Sequence, residues 1–503
     1  MRLPEEVKFV IEKLKRAGFE AYIVGGCVRD FLRNVEPEDW DVATDTKPEE
    51  IQKIFPKSFY SNKFFTVTVQ TESENPKLKE IEITTYRSET KYTDKRHPDE
   101  VKFAKTIEED LARRDFTVNA IAIDENLKII DPFSGQKDLE KKIIRAVRDP
   151  EERFNEDALR MIRAVRFATT LGFKIEEKTA EAILKNSHWL KMISKERIRD
   201  EFLKIIMAAA SGPASLSLGE AGEPRPEGRE KTAQGIELLR GSGLLKYIVP
   251  ELEEGYKVTQ NKHHIYECYE HYLRSLDFAA KKNFNKLVRL ASLFHDIGKP
   301  RVKNGEGPDA TFYSHEIVGA KMTAQILNRL RFSRKEIEKI TKLVRYHLFY
   351  YNVGEVGESS VRRLVRQVGP ENMEELLQVR QADRIGSGCP KAEPYKLRHL
   401  KYLIEKVSRD PLSVKVLKIS GADVMRILKI GPGPKIGQVL DILLGYVLEE
   451  PKRNDKKFLE EEIEKLGKLS EKELGSLAEK ARKERKKIEQ KTDEMTKKKY
   501  WVT

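Results

Sequence analysis

The strongest constraint on this chain is a change of period. Up to about residue 140, short β-branched runs alternate with helical stretches, and from Phe154 onward the apolar residues recur almost wholly at helical spacing. A chain written this way folds as an α/β head followed by a long all-α body. At the front, a helical pattern over Glu5 to Ala17 precedes the apolar run Ala21 to Val24, and a Gly25-Gly26 turn opens a further helix. Asp41 to Thr44, the strictly alternating Phe65 to Gln70, and Ile81 to Thr85 read as half-buried strands of a small mixed sheet.

At 503 residues the chain exceeds what one core supports. The pattern divides it into a catalytic head over 1–140, a helical neck over 141–210 and a Gly/Pro/Ser/Glu-rich flexible insertion over 211–231. A helical stretch over 232–262, a histidine-rich helical domain over 263–400 and a charged helical tail over 401–503, expected to bind RNA, follow. No apolar run approaches the roughly 20 residues of a membrane span. Cys27, Cys268 and Cys389 are far apart and read as reduced thiols, and the charged start lacks a signal-peptide pattern, so a cytoplasmic protein is expected. A net charge of +13 points toward a polyanionic partner.

Chemistry concentrates in four segments of the first 170 residues. Gly25, Gly26 and Arg29 sit where a strand turns into a helix, a place that suits close approach of a triphosphate. Asp39 and Asp41 stand at i and i+2, so on an extended strand both carboxylates face one way. Two such groups repel unless a hard divalent cation lies between them, and Glu82 on a later strand is the candidate third ligand. Arg113, Arg114, Asp115 and Asn119 form a dense polar cluster that can hold phosphates and a ribose. Glu156-Asp157-Ala158-Leu159-Arg160-Met161-Ile162-Arg163 puts Asp157 and Arg160 at i and i+3, which predicts one helix face. Taken singly, the Gly-Gly turn fits an ordinary tight turn, the Asp39/Asp41 pair a turn cap, and the Asp157/Arg160 pair a surface ion pair.

Taken in order, GGxVRDxL, DxD, RRDFTxNA and EDxxRxxRA resemble the signature set of class II tRNA nucleotidyltransferases, the CCA-adding enzymes and their poly(A) polymerase relatives. The resemblance runs from about Phe19 to Lys204 and implies a polymerase-β-like nucleotidyltransferase head. It implies Mg²⁺ on Asp39 and Asp41, sugar and phosphate handling by Arg114, Asp115 and Asn119, and base selection by Asp157 and Arg160, with CTP and ATP as substrates and tRNA as acceptor. Arg113 and Arg163 join the nucleotide-binding set. Tyr86 to Phe103, with Tyr92, Asp94, Arg96, His97 and Pro98, resembles the family's flexible loop. Asp131 to Gly135 resembles its hinge, and Lys195-Glu196-Arg197-Ile198 with Glu201 its structural neck motif. The base-selecting role also follows from chemistry: cytosine and adenine each present an amine beside an unprotonated ring nitrogen, which an Asp acceptor and an Arg donor both satisfy.

Further on, His271, His295, Asp296, His315, His347 and Asp383 resemble the H…HD…D pattern of HD-superfamily phosphohydrolases, with two histidines between HD and the last Asp as in bimetallic members. This implies a divalent metal site that polarises water against a phosphoester. His264 fits a position outside the metal shell, and His97, His188, His263 and His399 read as surface or loop residues. The expectation is a cytoplasmic CCA-adding enzyme with an HD phosphohydrolase domain. The alternatives are an A-adding enzyme or poly(A) polymerase of the same fold, a catalytically silent RNA-binding protein, and an HD enzyme whose head only recruits RNA.

Overall fold

The computed structural model describes residues 2–61, 65–90, 100–208, 231–261, 264–408 and 414–502. Tyr92, Asp94, Arg96, His97 and Pro98 of the expected loop, the stretch 211–230 and His263 lie outside the described residues.

The chain opens with helix α1 (Glu5–Arg16), strand β1 (Ala21–Val24), helix α2 (Gly26–Leu32) and strand β2 (Asp41–Thr44). Then come α3 (Pro48–Ile54), β3 (Ser58–Ser61), β4 (Thr66–Gln70), β5 (Glu80–Thr85), the hairpin β6 (Arg87–Thr90) and β7 (Glu100–Phe103), α4 (Ile107–Ala112), β8 (Ala122–Ile123) and β9 (Ile129–Ile130). Seven of these strands form one sheet in the order β3-β4-β5-β2-β1-β8-β9, in which β2 and β5 run parallel and the other neighbours antiparallel. The sheet is the mixed one that the alternation predicts.

Its core explains why α1 forms. Val7, Val10, Ile11 and Leu14 fall on one helical stripe and are fully buried against Ile23, Val42, Val67 and Ile83. Glu5 and Glu6 in the first turn, with Lys13, Lys15 and Arg16 in the last, complement the helix dipole. Trp40 plugs the same core just before β2, while Asp39, in the bend ahead of it, and Asp41, the first residue of β2, line a cavity.

Beyond the sheet lie α5 (Gly135–Lys141), α6 (Pro150–Glu156), α7 (Leu159–Leu171), α8 (Glu177–Asn186), α9 (Lys195–Ile206) and α10 (Lys231–Gly241). The expected hinge is a helix cap: Asp131 accepts from the backbone amides of Gly135 at 2.7 Å and Gln136 at 3.0 Å at the start of α5. Helices α7, α9 and α10 pack on one another, a short parallel pair joins Ile143–Ile144 to Lys174–Ile175, and every later element among the described residues is helical.

Two compact units emerge, Met1–Leu348 with Glu374–Pro390, and Phe349–Met373 with Lys391–Thr503. The first holds the head, the neck helices and the histidine-bearing helices. The second is built on an apolar cluster that includes Leu417, Val439, Leu443, Leu459, Ile463 and Leu474.

Gly235 on α10 marks a close approach: a Cβ there would lie 2.5 Å from Ile205 Cγ2 and 2.8 Å from Thr169 Oγ1. In a helix, alanine is favoured over glycine by about 1 kcal/mol. Overpacking costs about 1–3 kcal/mol, so Gly235→Ala is expected to give a net loss of stability in denaturant unfolding. An unchanged or raised midpoint would show that α7, α9 and α10 are not locked at this point.

Candidate active sites

The head motifs converge on one cleft. Gly25, Gly26, Arg29, Asp39, Asp41, Arg113, Arg114, Asp115, Asn119, Asp157, Arg160 and Arg163 line a cavity of about 510 Å³, joined by Leu159, Arg166, Phe167 and Arg197. Among the described lining residues Glu82 does not occur, but its Cα pairs with that of Asp41 across β2 and β5, and its charge acts on Asp41.

Asp41 is the electrostatic centre. Burial, then the neighbouring Asp39, push its carboxyl up to about 7 against the counteracting Arg114, with Glu82 adding to the rise. Converging carboxylates with only oxygen donors form a set that fits a hard divalent cation. Gly25 lets the two walls meet: it has φ +83°, and a Cβ there would stand 3.0 Å from Arg114 Nη1 and 3.4 Å from Asp41 Oδ2.

The arginines are held by carboxylates set behind them. Arg113 and Arg114 both donate to buried Asp110, at 2.7 and 3.2 Å. Burial alone would raise Asp110, yet these two guanidinium groups hold it below the usual carboxylate range. Arg163 donates from Nε and Nη2 to Asp115 at 2.9 and 2.7 Å, and Asn119 donates to the same carboxylate at 3.1 Å. Asp115, despite burial, is thereby kept at about 2. Arg29 donates to the side-chain oxygen of Asn119 at 2.9 Å.

Asp157 and Arg160 enter the cleft together, but not from one helix. Helix α6 stops at Glu156, and Asp157 is extended (φ −143°, ψ 104°) and accepts from the amide of Leu159 at 3.0 Å as α7 begins. The single-helix expectation is corrected: an aspartate two residues before an apolar helical run is a cap, and the cap breaks the helix. Arg160 donates to the carbonyls of Arg153 at 3.2 Å and Arg113 at 3.0 Å, which fixes its fork. Arg197, read in the sequence only as part of a structural motif, clamps Asp157 bidentately at 3.2 and 2.6 Å. Arg166 and Phe167 also escaped the sequence reading; the i, i+3 recurrence from Arg160 through Arg163 to Arg166 on α7 was the available signal.

The second cluster is buried among helices. His271 comes from the helix Cys268–Lys281, His295 and Asp296 from the end of Lys286–Phe294, His315 from the start of His315–Arg329, His347 from the end of Arg334–Tyr346 and Asp383 from Met373–Gly386. Two potential metal-holding groups arise, His271/His295/Asp296/Asp383 and Asp296/His315/His347, and they share Asp296. The Nδ1 atoms of His295, His315 and His347 lie 2.8, 2.7 and 2.7 Å from the carbonyls of Ser292, Phe312 and Val344. In each of these contacts Nδ1–H donates to the carbonyl, which leaves Nε2 as the ring atom free to serve as a ligand. His271 Nε2 and His295 Nε2 approach to 2.8 Å, a distance that a shared proton or cation makes favourable. The donor set therefore fits divalent metal.

Lys299, which the sequence reading passed over, lies one helical turn after Asp296 and bonds its Oδ2 at 2.7 Å. It also donates to Gln260 at 2.6 Å, and His264 Nε2 lies 3.2 Å from its ammonium. His264 thus sits beside the cluster, as expected, and burial together with Lys299 lowers it to about 3. A cavity of about 590 Å³ lined by Lys299, His315, His347, Arg380, Asp383 and Arg384, among others, opens onto the cluster. His188 is exposed, whereas His399 is half-buried in a helix among tyrosines and is not a loop residue.

Residues 21–145 match the poly A polymerase head domain, residues 172–222 a segment described as the probable RNA and SrmB-binding site of polymerase A, and residues 268–386 the HD domain. One part of the chain is thus similar to a poly A polymerase head and another to an HD domain. The CCA-adding enzyme of Ligilactobacillus salivarius is 49% identical over 214 residues, which are 41% of this chain and 50% of that protein. That of Lactococcus lactis subsp. lactis is 43% identical over 263 residues, 50% of this chain and 58% of the relative. The matches thus span about half the length of these curated relatives. The crystal structure of the Bacillus stearothermophilus CCA-adding enzyme in complex with CTP is similar with a TM-score of 0.56 and 25% identity, covering 92% of this chain and 96% of that one. The nucleotidyltransferase and HD families generally work with divalent metals. Among the described residues no helix is long and apolar enough to cross a membrane.

The raised Asp41 gives the head a defined pH response. Its folded-state pKa of about 7 exceeds the ordinary value of 3.8, so the folded protein binds the extra proton between those values. Stability of metal-free protein is therefore expected to fall as pH rises from about 4 to about 7, and Asp41→Asn to flatten that part of the profile. Thermal melts from pH 4 to 8 in the presence of a chelator check this; an identical slope in the variant would remove Asp41 as its source.

Proposed function

We propose that the head adds nucleotides without a template to the 3′ end of tRNA, using CTP and ATP to build CCA. The observation that carries this reading is a single cleft lined by both Asp39/Asp41 and Asp157/Arg160. The CCA-adding relatives and the basic charge of the chain support tRNA as the acceptor.

Mg²⁺ held by Asp39 and Asp41, with Glu82 as a further ligand, would activate the acceptor hydroxyl and neutralise charge on the departing pyrophosphate. The 3′-oxygen forms a bond to the α-phosphorus while the bond to the β-phosphate bridge breaks. Gly25 and Gly26 give the triphosphate close access to the backbone, and Arg29, Arg113, Arg114 and Arg163 face its oxygens from carboxylate-anchored positions. Asp115 and Asn119, already oriented by Arg163 and Arg29, are placed for the ribose.

Base choice falls to Asp157 and Arg160. A carboxylate offers about four acceptor sites. Arg197 and the Leu159 amide take three of them, which leaves Asp157 able to accept from an exocyclic amine. Uracil and guanine present the opposite pattern and leave buried groups unpaired, at about 1–3 kcal/mol each. Purified protein is expected to extend tRNA lacking its 3′ CCA with CTP and ATP together. Asp39→Ala with Asp41→Ala should abolish addition and leave RNA binding largely intact, and Asp157→Ala should relax C and A preference about 5- to 100-fold. Long runs from ATP alone would replace the assignment with poly(A) synthesis, and unchanged addition by the double variant would refute the metal-binding role.

A second activity is favoured by the two metal-holding groups that share Asp296. We propose that the HD domain hydrolyses a phosphoester. Divalent metal held by His271, His295, Asp296, His315, His347 and Asp383 would supply a nucleophilic water at neutral pH. Lys299 and Arg380 offer positive charge at the same cavity. Hydrolysis of a 2′,3′-cyclic phosphate or a phosphomonoester, lost in His295→Ala while nucleotide addition persists, is the expected result; hydrolysis unaffected by that substitution would exclude the cluster.

A further inference from the structure

The helix Tyr395–Ser408 carries Tyr395, His399 and Tyr402 at i, i+4 and i+7, on one face. Tyr402 is buried, but Tyr395 at the other end of the stripe is 38% exposed. Between them His399 gathers three rings: Tyr351 stacks on it at 6.1 Å with an interplanar angle of 29°, Tyr395 lies at 6.0 Å and Tyr402 at 5.5 Å. A purely structural aromatic stripe would end under cover, whereas this one ends in a ledge of preassembled rings.

The charge around the ledge says what would cover it. Lys401 and Lys406 on this helix pair with Glu393 and Glu358, and Lys396 and Arg398 are the cations that border the exposed end. Lys396 donates to the amide oxygen of Asn352 at 2.6 Å rather than to a carboxylate. The Arg398 guanidinium carbon lies 6.0 Å from the Tyr395 ring centroid, and its Nε is buried without a partner. Flat rings bordered by cations match a chain of stackable bases joined by phosphates. An acidic peptide would use the cations but not the ring faces, and an apolar partner would use the rings but leave the cations without counter-charge.

We propose that Tyr351, Tyr395 and His399 form a stacking ledge for unpaired bases of the RNA acceptor, with Lys396 and Arg398 on its phosphates. The inference rests on the proposed tRNA substrate and names a contact for it outside both catalytic clefts. It predicts that acceptor affinity depends on this face of the helix while the chemical step does not.

The test uses the full chain and a fluorescent tRNA transcript lacking its 3′ CCA. Tyr395→Ala is expected to raise Kd by about 5- to 100-fold, as loss of a base-aromatic stack does. The KM for tRNA should rise in step, with kcat at saturating tRNA unchanged and Tyr395→Phe close to wild type. Lys396→Ala should reduce the salt slope of binding by about one. Wild-type affinity in Tyr395→Ala and in Tyr351→Ala/Tyr395→Ala, alongside normal nucleotide addition, would overturn the ledge and assign the face to a protein partner. Absence of addition by the wild type would instead overturn the tRNA reading, whatever the variants bind.

Discussion

The head depends on keeping Asp41 buried beside other acids. Moving a carboxyl from its ordinary value to about 7 corresponds to roughly 4 kcal/mol against ionisation, and exposed ion pairs offset about 0–1 kcal/mol each. Such a group persists only where strong counter-charge is at hand. Arg114 supplies part of it, and Gly25 permits the approach, since a side chain at that position would press on both Arg114 and Asp41. The positive φ of Gly25, open to glycine without cost, and the parallel pairing of β2 with β5 both serve that one arrangement.

The opposite wall solves the reverse problem. Seven arginines and four aspartates line the cleft, and free guanidinium groups on long side chains would lose considerable conformational entropy on gripping a ligand. Here Asp110 anchors Arg113 and Arg114, Asp115 anchors Arg163, and Glu201 anchors Arg166 at 2.7 Å. The wall is oriented before any nucleotide arrives, which is where electrostatic stabilisation gains most of its effect. The neck continues the scaffold: fully buried Arg289 donates to the carbonyls of Ile206 and Ala208 at the end of α9, and its own helix leads into His295 and Asp296. The helix that supplies Arg197 to one cleft is thus tied to the helix that leads into the histidine cluster of the other.

Much of this was legible in the residues, for physical reasons that differ by element. The strands β4 and β5 declare themselves because half-buried strands must alternate, β1 because it is a short apolar run before a Gly-Gly turn, and α1 because its apolar stripe is complete. The two-residue strands β8 and β9 do not, because pairs such as Ala122–Ile130 exist only once the sheet has formed beside them. The cleft could be assembled from motifs that each carry their own chemistry. Arg197 could not, since its function follows from a bond to Asp157 across 40 residues, and Lys299 was overlooked although its position one turn after Asp296 was open to view. The break at Asp157 was misjudged because i, i+3 spacing was weighed and capping was not.

The two sites also differ in how they treat charge, and that difference separates their chemistry. In the head the acids are short of cations, so Asp41 rises, and its oxygen donors are of the kind that fits a hard ion. In the HD domain Asp296 goes the other way: burial alone would raise it, but Lys299 and His295 hold it well below the usual range. A carboxylate held low, with imidazole rings oriented toward it by backbone carbonyls, is a donor set that the protein itself arranges. The head thus leaves Asp41 short of counter-charge, whereas the histidine cluster supplies Asp296 with cations of its own.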